Sequence, residues 1–226
     1  MSAPRARLVV FDLDGTLVDS SRDLATAVNR ALRRLDPEAP LLPEETVRSF
    51  VGSGARVLVT RSLTRAGLPH RVEDVLPRFL EAYSSCLLDT TRLYPGTLEA
   101  LDRLRDRRLA VLTNKPGDMS RTILEGLGVA DRFFRVYGGG DLPARKPDPA
   151  GLQRLASEAG VPPEEAVMVG DSAIDVRTGR AAGALTAGVT WGFDAESFRL
   201  DPPDLLVGTP GELADRLGAA SAAPVG

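Results

Sequence analysis

The chain has 226 residues, 43% of them apolar, which is enough for one large domain or two smaller ones around a buried core. Its net charge of −3, with no basic tract, argues against nucleic acid as the main partner. A single cysteine, Cys86, excludes an internal disulfide and a multi-cysteine zinc site, gives no reason to invoke an oxidising compartment, and reads as a packing residue on a helix.

Met1 to Arg7 is followed by only four apolar residues, too few for a signal peptide or a membrane span, so a cytoplasmic chain with no membrane partner is expected. Those four, Leu8 to Phe11, read as a strand buried on both faces. It stops at Asp12-Leu13-Asp14-Gly15-Thr16, where alternation lets both carboxylates point into one crevice while Leu13 turns away. A calcium loop starting at Asp12 is excluded, because its sixth and twelfth positions would be Leu17 and Asp23 instead of glycine and glutamate. Ser20 and Asp23 have capping-box spacing at the head of a helix with Leu24, Val28, Ala31, Leu32 and Leu35 on one face. Val47, Phe50 and Val51 predict a short helix ending at Gly52-Ser53-Gly54, Val57 to Gly67 another, and Val72 to Tyr83 a longer one. No strand is expected between Val18 and Thr91. His70 reads as a surface residue.

From Tyr94-Pro95-Gly96 onward, helices and short apolar strands alternate, the pattern of a parallel sheet covered by helices. Leu109 to Leu112 is a strand ending at Thr113-Asn114-Lys115, and a short strand near Val136 runs into a glycine-rich loop carrying Asp141 and Lys146. Ala166 to Val169 is a strand ending at Gly170-Asp171-Ser172-Ala173-Ile174-Asp175. Strands at Thr186 to Val189 and Leu205 to Val207 and a helix at Glu212 to Leu217 complete the set, and the tail from Gly218 is expected to be loose.

Parallel strands put their carboxyl ends on one edge, so Asp12, Asp14, Thr113, Asn114, Lys146, Asp171 and Asp175 can converge. Gathered carboxylates repel one another unless a cation neutralises them, and an all-oxygen set favours Mg2+ over zinc. Thr113 and loop amides can donate to a phosphate whose charge Lys146 offsets.

These four segments, in this order, resemble the motifs of haloacid-dehalogenase-superfamily phosphohydrolases. The resemblance implies an α/β fold, a Rossmann-like parallel sheet core covered by helices (1–17 and 92–226), with a small all-helical cap, 18–91, inserted after the first strand. It implies an aspartyl-phosphate mechanism: Asp12 as nucleophile, Asp14 as general acid and base, Mg2+ held by Asp12, the Asp14 carbonyl and Asp171, with Asp175 orienting. Thr113, Asn114 and Lys146 would hold phosphate. Asp14 points away from the halide-removing members, which lack this second acid, and Leu24 stands where the β-phosphoglucomutase relatives carry histidine. Ile174 replaces a residue that is often polar. Asp19 to Leu24 and Phe50 to Val59 resemble phosphoglycolate phosphatases, which implies a small phosphorylated metabolite as partner. Ser53, in a turn presenting amides, and Arg56 are expected to face its carboxylate. A broader phosphatase for sugar phosphates, nucleotides or pyrophosphate and a non-catalytic phosphate-sensing module are the alternatives. Either a monomer or a homodimer is compatible with the sequence.

Overall fold

The computed structural model describes residues 6–68 and 71–218, so the expectations for His70 and for the tail beyond Gly218 lie outside the described residues. The chain opens with β1 (Leu8–Phe11), followed by a two-residue strand β2 (Val18–Asp19). Four helices come next: α1 (Ser21–Leu35), α2 (Glu44–Arg48), α3 (Ala55–Ala66) and α4 (Val72–Ser84). After β3 (Arg92–Leu93) the chain alternates through α5 (Thr97–Arg103), β4 (Arg108–Pro116), α6 (Gly117–Gly126), β5 (Arg135–Gly139) and α7 (Ala150–Ala159). It continues as β6 (Ala166–Gly170), α8 (Ala173–Ala182), β7 (Leu185–Val189), β8 (Leu205–Val207) and α9 (Pro210–Arg216).

Six strands form one parallel sheet in the order β5-β4-β1-β6-β7-β8. The apolar run of β1 is explained by its central place, since both of its faces are covered. Val9 and Phe11 pack with Leu109, Val111, Val167 and Val169 on one side, while Leu8 and Val10 meet Ala110, Met168 and the Leu152 and Leu155 stripe of α7 on the other. Phe11 lies opposite Val111 and Val169, so the next residues of all three strands emerge together at one sheet edge. The chain lays down β4 and β5 on one side of β1 before crossing to β6 on the other, which makes that edge a topological switch point.

The helices between β2 and β3 pack mainly on one another, α1 against α2 and α4 and α3 against α4, through the buried stripe Leu24, Val28, Ala31 and Leu32. Their two connections to the sheet meet as an antiparallel ribbon, Val18 opposite Leu93 and Asp19 opposite Arg92. The expectation of no strand in this region is therefore corrected: β2 is real, but two residues are too few for alternation to register. The helix expected to reach Gly52 stops at Arg48, and Phe50 and Val51 donate to the carbonyls three residues back in tight turns. The capping box expected of Ser20 and Asp23 is absent, because both side chains have tertiary partners. Cys86 is buried as expected, but it lies just past the end of α4. Strand β4 runs beyond Leu112 to Pro116 through a bulge, which carries Thr113, Asn114 and Lys115 inside the strand.

Candidate active site

Asp12 follows the last residue of β1, and its amide donates to Val169 O of β6, at 2.9 Å. Its carboxylate is buried, with Oδ1 2.8 Å from Lys146 Nζ. This buried ion pair with Lys146 is the charge contact of Oδ1. Burial raises the Asp12 carboxyl to about 6; the Lys146 charge opposes this and Asp175 adds to it. Asp171 is raised well above the ordinary carboxylate range by burial and then by Asp175 and Asp12. Its Oδ2 accepts from Phe193 N at 2.6 Å. Gly15, with φ +81°, passes so close that a Cβ would fall 2.0 Å from Asp171 Oδ2, so the turn after the two aspartates tolerates only glycine.

Asp175 is tied down on both oxygens. Oδ2 accepts from Ser172 N and Oγ in a capping box at the head of α8, and Oδ1 accepts from Lys146 Nζ at 2.6 Å. Asp12, Asp171 and Asp175 each place an oxygen within 4.8 Å of the others. Three buried carboxylates whose oxygens converge, two of them with raised affinity for protons, form an all-oxygen donor set that fits a divalent cation. The Asp14 carboxylate is not in this cluster, and the part expected of Asp14 there is that of its backbone carbonyl.

The Asp14 side chain turns toward the helices. Its Oδ1 accepts from Ser20 Oγ at 2.5 Å, and Lys115 Nζ donates to Oδ1 at 3.0 Å and Oδ2 at 3.1 Å. Lys115 also hydrogen-bonds Tyr83 Oη of α4 and lies 4.4 Å from the centre of that ring. Burial pulls the Lys115 ammonium down, but Asp14 and Tyr83 outweigh it and hold the group above its ordinary value. Ser20, Tyr83 and Lys115 were absent from the residues expected to act. Lys115 was legible in principle, since it stands two residues beyond Thr113 on the same extended stretch.

Thr113 is buried, and its Oγ1 accepts from Lys115 N at 3.3 Å, which leaves the hydroxyl proton for another acceptor. Asn114 reaches the site, but its amide nitrogen donates to the carbonyls of Gly52 and Lys146, each at 3.0 Å. Its side-chain donors therefore join the helical segment to the Lys146 loop and do not project into the site. A cavity opens above Asp12, Asp14 and Thr113, walled by Leu24, Leu58 and Phe79 from the helices. Gly52 and Gly54 line it; Ser53 and Arg56 do not. Arg56 pairs with Glu73 at 2.8 Å on an exposed face, so the expectation that it meets a substrate carboxylate is corrected: its helix points it outward.

A family model described as haloacid dehalogenase-like hydrolase matches residues 9–189, which includes every one of these side chains. The chain belongs to the haloacid dehalogenase-like hydrolases. It is 41% identical over 220 residues to a phosphoglycolate phosphatase of Pseudomonas putida, covering 91% of this chain and 79% of that one. With a phosphoglycolate phosphatase of Rhodospirillum rubrum it shares 44% identity over 200 residues, 84% of this chain and 82% of the other. The crystal structure of a predicted phosphoglycolate phosphatase from Haemophilus somnus 129pt superposes with a TM-score of 0.87 at 32% identity, covering 93% of this chain and 97% of that one. The α/β parallel-sheet fold expected of this hydrolase family is the one observed.

Proposed function

We propose that this hydrolase is a Mg2+-dependent phosphatase that converts 2-phosphoglycolate to glycolate and phosphate. The observation that carries the reading is the division of labour between two aspartates two residues apart. Asp12 faces Lys146 and the Asp171–Asp175 cluster, whereas Asp14 is turned to the opposite, leaving-group side by Ser20 and Lys115. Relatives at about 40% identity that bear the phosphoglycolate name support the substrate, as does a narrow cavity with apolar walls.

In this reading the Asp12 carboxylate attacks phosphorus and carries the phosphoryl group as an aspartyl-phosphate. Asp14 gives its proton to the departing alkoxide and takes one back from the water that hydrolyses the intermediate. Lys146 Nζ and the Thr113 hydroxyl hold phosphoryl oxygens, while Asn114 fixes the Lys146 loop through its carbonyl. Asp12 and Asp171, with the Asp14 carbonyl, would hold Mg2+, which when bound offsets charge between nucleophile and phosphate. Asp175, with both oxygens already engaged, orients Lys146 and the metal cluster. We read the helices of 18–91 as a cap on a core of 1–17 and 92–226 that excludes water during transfer.

Phosphate release from 2-phosphoglycolate, sugar phosphates, nucleotides and pyrophosphate, with Mg2+ and with chelator, tests this. Metal-dependent turnover favouring phosphoglycolate is expected. Equal rates across the panel would remove the substrate assignment, and no release from any ester would remove the phosphatase.

A further inference from the structure

The site contains a second buried lysine to which the mechanism above gives no contact with substrate. Lys115 is 5% exposed, and among the described residues lining the cavity it is the one cation. Its apolar neighbours there, Leu24, Val51, Leu58 and Phe79, offer nothing to an anion, and Thr113, Tyr83 and the backbone at Gly52, Gly54 and Ala55 offer only neutral groups. Lys146 is already shared between Asp12 and Asp175 on the phosphoryl side, and Arg56 is paired outside the cavity. An anionic group on the leaving side of a substrate would have no charged partner in this lining without Lys115, and a buried carboxylate without a counter-charge is costly.

The three protons of Lys115 Nζ are all engaged, by Asp14 Oδ1, Asp14 Oδ2 and Tyr83 Oη. With Ser20 also on Oδ1, that oxygen accepts two hydrogen bonds, whereas Oδ2 accepts only the one from Lys115. A substrate carboxylate can meet Lys115 only if the ammonium gives up at least one of these contacts, whereas a leaving oxygen can meet Asp14 at the free lone pair of Oδ2. In 2-phosphoglycolate the carboxylate carbon is two bonds from the ester oxygen that Asp14 must touch. Lys115 Nζ lies one hydrogen bond from Asp14, so a carboxylate carried two bonds from an oxygen that Asp14 touches falls within reach of the ammonium.

We propose that Lys115 is the specificity-determining cation of this site and exchanges the Asp14 carboxylate for the carboxylate of the substrate. This rests on the phosphatase reading above. A phosphoester that brings its own anion at the second carbon draws Lys115 off one Asp14 oxygen and is thereby held with its leaving oxygen beside Asp14. An ester without that anion leaves the grip intact and turns over poorly even when it fits. Tyr83, hydrogen-bonded to the same ammonium from α4, aims Lys115 from the helical side and makes the exchange depend on the helices being in place.

The test compares kcat/KM for 2-phosphoglycolate and ethyl phosphate, which has the same two carbons and no carboxylate, in wild type, Lys115→Met and Arg145→Ala. Arg145 is the control because it is exposed at the cavity rim beside Gly54. Wild type is expected to favour phosphoglycolate. Lys115→Met should lower that preference by about 30-fold or more, with KM for phosphoglycolate rising, on top of any loss shared by both substrates. Arg145→Ala should keep the preference within about threefold of wild type. A parallel fall on both substrates in Lys115→Met would overturn the proposal and leave Lys115 as a holder of Asp14, and so would transfer of the discrimination to Arg145. If Lys115→Met does not fold, Lys115→Gln is read by the same ratio. Failure of the phosphatase reading is distinct, since it appears in wild type as no release from either ester.

Discussion

Asp12, the proposed nucleophile, is a buried carboxyl raised to about 6 by desolvation, with Lys146 opposing that shift. Burial that makes the lone carboxylate expensive also makes it more basic and a strong partner for a cation. Asp12→Asn keeps the shape and removes the proposed nucleophile, so phosphate release should fall by about a thousandfold or more. The variant should melt within a few degrees of wild type, because Lys146 retains Asp175. Near-normal turnover in the Asn variant would assign the attack to another group. Asp14, two residues on, was legible as an acid but not as one gripped by Lys115 and Ser20. Spacing specifies which face a side chain leaves from, whereas its partners come from other elements.

Strand β1 and the first turn of α1 show how far local pattern reaches at the scale of elements. Four buried apolar residues predicted β1, and the 3.6-residue stripe predicted α1, because both depend only on residues close in the chain. The expected cap of α1 failed for the opposite reason. Asp23 accepts from the amides and hydroxyls of both Thr90 and Thr91, and so ties the head of α1 to the segment entering β3. Burial pushes the Asp23 carboxyl up, but these hydrogen bonds outweigh it and hold it below its ordinary value. A depressed carboxyl contributes stability above its unfolded pKa and loses it as pH falls through the folded value. Asp23→Ala should therefore cost about 2–4 kcal/mol at pH 7, with the gap from wild type narrowing below about pH 4. Urea midpoints at the two pH values measure it; a gap that stays constant would mean the cost is packing alone.

At the scale of the whole molecule, the helices and the sheet meet across the site, and several contacts fix how they sit. Arg48 of α2 donates to Gly192 O and stacks over Phe193, whose amide holds Asp171, while Asn114 donates to Gly52 O. The cation cluster couples to this assembly, since Asp12 and Asp171 both hold protons more tightly than ordinary carboxyls and must lose them to bind metal. Excess Mg2+ should raise the melting temperature at pH 7.5, and that rise should shrink as pH falls below about 6, where protons compete for the same oxygens. Thermal melts with Mg2+ or chelator across this range measure it, and a rise independent of pH would place the ion elsewhere. No helix among the described residues is long and apolar enough to cross a membrane. The sequence by itself determined the parallel α/β architecture, the helical insertion and the carboxylates and lysine at successive strand ends. Apolar period, strand length and motif order are properties of neighbouring residues, and parallel strands must share a carboxyl edge. Only the tertiary structure decided that Lys115 grips Asp14, 101 residues away, that Tyr83 aims it, that Asn114 joins Gly52 to Lys146, and that Arg56 faces outward to Glu73. Those partnerships depend on sheet register, a bulge in β4 and the seating of one helix on another, none of which a spacing along the chain encodes.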